Sequence, residues 1–83
     1  MTVYPLHSDG TVDSVVAGTC RDVSAGGTSF TTETAMGTRY AYLDFGGVVA
    51  TAGLAILVRV IRSQSPLHPG QPHIYGCQYR TDL

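Results

Sequence analysis

The chain has 83 residues, of which 43% are hydrophobic and 13% are charged, and its formal net charge at pH 7 is −1. This length predicts one small domain over residues 1–83, and the hydrophobic fraction excludes a chain that is disordered by composition. The net charge argues against non-specific nucleic-acid binding and against a polybasic membrane patch, because both need a basic excess. All five basic residues are arginine, so the protein is lysine-free.

The first ten residues, MTVYPLHSDG, have neither a positively charged start nor an apolar run. Both features are typical of a secretory signal peptide. We therefore expect no signal peptide and synthesis in the cytoplasm, with incorporation into a virion or another assembly as one destination.

Glycine and proline divide the remaining chain into short segments. Turns are predicted at Ser8–Gly10, at Ala25–Gly27 and at Gly46–Gly47. Residues 66–72, PLHPGQP, contain three prolines and predict a rigid loop. The two Gly-Gly pairs lack the flanking residues of phosphate-binding loops, so they are interpreted as turns.

Four segments between these turns have the composition or the alternation of β-strands. They are residues 11–20, 28–34, 38–45 and 73–80. The first places Val12, Val16 and Cys20 on one face. The second is Thr-rich and polar, which predicts an edge strand.

Alternation is clearest in the last two of these segments. Each places two tyrosines on one face, Tyr40 with Tyr42 and Tyr75 with Tyr79. In the first case the opposite face carries Ala41 and Leu43, whereas in the second the tyrosines share their face with His73 and Cys77.

The segment Val48–Arg62 is ambiguous. Its apolar residues fit one side of a helix, but it is rich in β-branched residues and has Gly53 in its interior. We favour strands, with a bend or bulge at Gly53 and a buried strand over residues 54–61. The apolar run 45–58 is too short to span a membrane, so a membrane-associated protein that uses residues 45–61 is an alternative only.

The predicted fold is therefore all-β, with about five short strands in a small barrel or sandwich. The runner-up is an α+β fold in which residues 48–62 form a helix packed on a sheet.

Cys20 and Cys77 are the only cysteines, and both fall on the more apolar face of a predicted strand. They can form a disulfide in an oxidising compartment, which would stabilise so small a domain. Without a signal peptide we favour two reduced, buried thiols.

No cofactor, metal site or catalytic group is predicted. His68, His73 and Cys77 have the chemistry of zinc ligands, but an extended chain holds His73 and Cys77 about 13 Å apart. The chain has no nucleophile elbow, no paired carboxylates and no phosphate-binding loop. We therefore expect a protein that is not an enzyme.

The tyrosines are the strongest functional signal, because tyrosine and arginine are enriched at protein interfaces. The predicted interface residues are Tyr40, Tyr42, Tyr75, Tyr79, Arg39 and Arg80. The first hypothesis is a non-enzymatic interaction or assembly protein, a small subunit of a larger homo-oligomer such as a capsid, tail or decoration component of a virus. The alternative is a small-barrel module that binds a ligand or single-stranded nucleic acid by base stacking. The expected partner is protein, either a second copy or a larger assembly, rather than nucleic acid or membrane.

Overall fold

Period-two alternation recurs along most of the chain, and it becomes a set of strands because side chains that face a core recur at every second residue of a strand. The computed structural model describes residues 1–45 and 55–80. Within these residues there are six strands and no helix. The strands are β1 (Thr2–Leu6), β2 (Val16–Val23), β3 (Gly27–Thr32), β4 (Tyr40–Asp44), β5 (Ile56–Gln64) and β6 (His73–Tyr79).

The strands form one closed barrel in the order β1-β2-β3-β6-β5-β4, and every neighbouring pair is antiparallel. This confirms the predicted all-β small barrel. The barrel has six strands where about five were expected. The additional one is β1, to which the sequence analysis assigned no strand.

The barrel is filled by its own side chains, as is usual for small barrels. Val3, Phe30, Leu43 and Val58 are fully buried. The ring of Phe30 lies with its centroid 5.6 Å from that of Tyr75. Since these side chains occupy the interior, contacts with other molecules fall to the outer surface.

The predicted strand over residues 11–20 is wrong in its first half. β2 begins at Val16, and Val12 lies in a loop with 51% of its surface exposed. Cys20, predicted to be buried, is exposed. Local hydrogen bonds explain the loop, because the amide of His7 donates to the carbonyl of Thr11 at 2.8 Å and the amide of Asp13 to that of Pro5 at 2.8 Å.

The predicted strand over residues 28–34 is confirmed by β3, but its expected position at a sheet edge is wrong. β3 pairs with β2 on one side and with β6 on the other. Thr28 and Thr32 point into the barrel and are buried. Their hydroxyls donate to the carbonyls of Asp22 and Thr34, at 2.7 and 2.6 Å, so a Thr-rich strand can lie inside without unpaired hydroxyls.

The ambiguous segment is a strand where the structure describes it. β5 covers residues 56–64, which confirms the preference for strand over helix there. Its pairing with β6 shifts register between Val60 and Arg62, so the irregularity lies in this part of the strand. The predicted turn at Gly46–Gly47 and the predicted bend at Gly53 lie outside the described residues. In the described part of the chain, no helix is long and apolar enough to cross a membrane.

Candidate functional site

The two predicted tyrosine pairs lie on opposite sides of the barrel wall. On β4, Ala41 and Leu43 are buried, so Tyr40 and Tyr42 point outward. On β6, Tyr75 is 4% exposed and belongs to the core, and the partly buried Tyr79 packs against that core. The structure thus places only the β4 pair on the outer surface.

The strand register aligns the outward tyrosines with further large side chains. One row across the barrel pairs Tyr42 with Tyr4 of β1 and with Leu57 of β5. The neighbouring row pairs Tyr40 with Leu6 and with Arg59. Directly opposed side chains on antiparallel strands lie about 5 Å apart, so each row is a continuous strip.

Arg80 extends this surface beyond the end of β6. Its Nη1 atom donates to the hydroxyl of Tyr40 at 3.3 Å, and its Cζ atom lies 5.7 Å from the centroid of the Tyr40 ring. This geometry is a cation–π contact. We call the resulting surface the tyrosine–arginine face. Its members are Tyr4, Leu6, Tyr40, Tyr42, Leu57, Arg59 and Arg80.

Arg39 lies at the border of this face. It directly precedes β4, its side chain is exposed, and its carbonyl accepts a hydrogen bond from the amide of Val60 at 2.7 Å. Of the six predicted interface residues, the structure therefore brings Tyr40, Tyr42 and Arg80 together and sets Arg39 beside them.

Tyr75, by contrast, lies in the barrel core and not on the outer surface. Its hydroxyl accepts a hydrogen bond from the amide of Met36 at 2.7 Å and lies 3.4 Å from the carbonyl of Met36, to which it donates. Met36 belongs to the connection between β3 and β4 and is buried. Tyr75 thus fixes this connection over one end of the barrel.

Four residues of the face were missed by the sequence analysis: Tyr4, Leu6, Leu57 and Arg59. Alternation in the sequence could have identified Tyr4 and Leu6, because the apolar Val3 and Pro5 alternate with them. Both Val3 and Pro5 are buried in the structure. Leu57 and Arg59 alternate with Val58 in the same way, but the uninterrupted apolar run around them hides the period.

The two cysteines are free thiols in the structure rather than a disulfide. β3 lies between β2, which carries Cys20, and β6, which carries Cys77. At about 4.8 Å between neighbouring strands their Cα atoms are roughly 10 Å apart, whereas a disulfide needs less than about 7 Å. Thr28 stands between them, with its hydroxyl 3.9 Å from the sulfur of Cys20 and its Cα paired with that of Cys77.

Burial raises the pKa values of two residues on β6, Cys77 and Tyr79. It raises the pKa of the Cys77 thiol to about 12, since a charged thiolate is disfavoured away from water. Burial also raises the pKa of Tyr79, and the nearby Cys20 thiol adds to that shift when it is charged. Neither group is activated as a nucleophile or base.

In residues 1–45 and 55–80, no three His, Cys, Asp or Glu side chains lie close enough together to hold a metal ion. His73 and Cys77 share the inner face of β6 with Tyr75 between them, and the imidazole of His73 stacks on the Tyr75 ring at 6.5 Å.

A second ordered surface feature is the loop between β1 and β2, residues 7–15, which we call the acidic loop. The Nε2 atom of His7 lies 3.4 Å from Oδ2 of Asp13. Oδ1 of Asp9 accepts hydrogen bonds from the hydroxyl and the amide of Thr11, at 2.6 and 3.0 Å, and these bonds lower the pKa of the Asp9 carboxyl. Both carboxyl groups are exposed, as are the neighbouring side chains of Val12 and Val15.

Comparisons of the chain with protein-family models, with curated proteins and with solved structures find no match.

Proposed function

We propose that this protein is a non-enzymatic assembly subunit that binds protein through its tyrosine–arginine face. The observation that carries the proposal is the alignment of Tyr4, Tyr42 and Leu57 in one outward row beside Leu6, Tyr40 and Arg59 in the next. Tyrosine, with its large rigid ring and polar tip, and arginine are the residue types most enriched where interfaces gain their affinity.

The barrel reduces the entropic cost of binding at this face. The aligned residues stand on paired strands, and the contact with Arg80 further holds the Tyr40 ring. Ordering a flexible side chain at an interface costs about 0.5–1.5 kcal/mol. Side chains that are already ordered avoid part of this cost, so a modest contact area is enough for binding.

The size and charge of the chain favour a subunit of a larger assembly. Its hydrophobic core is small, and charged residues make up only 13% of the sequence. A domain of this size is marginally stable alone and gains from a partner surface, and sparse charge does little to prevent association. A component of a capsid, a tail or a decoration layer of a virus fits this description.

The test is the molar mass of the purified chain, measured by size-exclusion chromatography with light scattering. We expect the wild type to self-associate and both Tyr42→Ser and Leu57→Ser to reduce the mass toward that of one chain. The matched control is Leu67→Ser, since Leu67 is an 82% exposed leucine in the loop between β5 and β6, away from the face. Equal masses for all variants contradict the proposal.

A second candidate function is binding of single-stranded nucleic acid at the same face. The supporting observation is the stacking of Arg80 on Tyr40 with Arg59 paired beside them, because bases stack on such rings while arginines neutralise phosphates. Fluorescence anisotropy with a labelled oligonucleotide at low salt tests this candidate. Absence of binding there refutes it, since the phosphate contribution is largest at low salt.

A further inference from the structure

The tyrosine–arginine face contains Arg59, whose charge no carboxylate of the described residues neutralises. Arg59 is exposed at the β5 end of its row. Across residues 1–45 and 55–80 no carboxylate lies within ion-pair distance of it, and the same holds for Arg39 at the border. The one carboxylate on the outer side of β4 is that of Asp44, two residues beyond Tyr42 and at the opposite end of the strand from Tyr40.

The acidic loop has the complementary character. It exposes the carboxylates of Asp9 and Asp13 together with Val12 and Val15, which are 51% and 56% exposed. Its internal hydrogen bonds hold it in one shape, so binding through this loop would cost little conformational freedom. Carboxylates and valines match the arginines and aromatic rings of the face in charge and in polarity.

We propose that the partner at the tyrosine–arginine face is a second copy of this chain, whose acidic loop lies on the face. The inference rests on the proposed function and adds the surface that the face binds. Leu6 ends β1 within the face, and His7 begins the acidic loop, so the two surfaces adjoin. A twofold axis near Leu6 then brings each acidic loop onto the face of the other copy.

The area of the two surfaces agrees with a twofold arrangement. From the strand spacing, the part of the face on β1, β4 and β5 covers on the order of 400 Å² once side chains are included. A stable interface buries about 800 Å² on each partner. The face alone supplies half of that area, and a twofold dimer, in which each copy contributes both its face and its loop, supplies the rest.

The test uses two variants that each place like charges at the proposed contact. The face variant is Arg59→Asp. The loop variant combines Val12→Arg with Asp9→Asn and Asp13→Asn, because asparagine retains the oxygen acceptors that shape the loop. The control is Arg21→Asp, which reverses an exposed arginine on β2. Circular dichroism and thermal melting establish that every variant is folded.

We expect the wild type to have twice the 8.8 kDa mass of one chain. Each contact variant alone should weaken the dimer at least tenfold, by roughly 1.4 kcal/mol or more, and the control should leave it unchanged. A mixture of the two variants should form a heterodimer. In it the acidic face of the Arg59→Asp variant meets the basic loop of the loop variant. The other contact joins a wild-type face to a wild-type loop.

The remaining outcomes separate the two proposals. An oligomer that Tyr42→Ser dissociates but that neither charge variant affects overturns the inference and leaves the proposed function standing. An oligomer with more than two chains overturns the twofold arrangement. A wild type that stays monomeric at about 100 µM overturns both, and oligonucleotide binding by that monomer would favour the second candidate function.

Discussion

Removing the hydroxyl of Tyr75 tests whether its hydrogen bond to Met36 holds the connection between β3 and β4 in place. The variant Tyr75→Phe keeps the ring in the core and its contact with Phe30, but it leaves the buried amide of Met36 without its 2.7 Å acceptor. An unsatisfied buried donor costs about 1–3 kcal/mol. The 3.4 Å contact with the carbonyl of Met36 adds little, so we expect a loss of about 2 kcal/mol in the free energy of unfolding. For a domain of this length that corresponds to roughly 11 °C in Tm.

Urea denaturation followed by circular dichroism measures this loss. The matched control is Tyr42→Phe, which removes a hydroxyl from the outer surface and should change the free energy of unfolding by less than about 0.5 kcal/mol. The slope of the transition should be equal in both variants, because neither changes the area exposed on unfolding. If Tyr75→Phe unfolds within about 0.5 kcal/mol of the wild type, the hydroxyl does not hold Met36 in solution.

Three further predictions concern the thiols, a turn and the core. At pH 8 a thiol reagent should modify the exposed Cys20 quickly and Cys77 only after unfolding. The pKa of Cys77 is about 12 against an ordinary value of 9.0, which lowers its thiolate fraction about 1,000-fold. Mass spectrometry of the labelled chain measures the modification, and equal labelling of both cysteines contradicts the prediction. Gly27→Ala should lower Tm because its Cβ would overlap the carbonyl oxygen of Cys77, whereas the added Cβ of Gly26→Ala meets no atom within 4 Å and should leave Tm nearly unchanged. Phe30→Ala should cost about 3–5 kcal/mol and leave the chain largely unfolded by circular dichroism at 25 °C.

The fold class could be predicted, and β4 and β6 were the clearest of the predicted strands because their alternation is uninterrupted. In β4 the small or apolar Ala41 and Leu43 alternate with Tyr40 and Tyr42, so the period also identifies the inward side. In β6 the tyrosines share their side with apolar and polar residues alike, and the period alone does not tell which side is buried. The prediction that Tyr75 contributes to an interface followed from this ambiguity.

β1 could not be predicted because of Pro5. Proline lacks an amide donor and argues against a strand that is paired on both sides. In the structure only Thr2 and Val3 pair with β2, so Pro5 lies beyond that ladder and needs no donor on that side. Its carbonyl accepts the amide of Asp13 from the acidic loop instead. This arrangement depends on the loop of residues 7–15 between the two strands, whose conformation the local sequence pattern does not specify.

The candidate site could not be predicted as a unit because it is made by register rather than by sequence spacing. Tyr4, Tyr42 and Leu57 are far apart in the chain, and they form a row only once β1, β4 and β5 pair in their observed order. A shift of one residue in either pairing would turn one strand's side chains to the other surface of the wall. The site therefore depends on the long-range pairing that closes the barrel.

The other half of the outer surface has smaller and more polar side chains than the tyrosine–arginine face. Across β2, β3, β6 and β5 a row joins Asp22, Ser29, Gly76 and Arg62, and it lines an open groove of about 660 Å³. Small and polar side chains fill its centre, and removing them from water gains little. The aromatic rows contain larger apolar side chains, so under the proposal their burial favours association and Arg59 favours a partner that supplies a carboxylate. Substitutions on the serine and glycine side of the barrel should accordingly leave the molar mass unchanged, as the Arg21→Asp control requires.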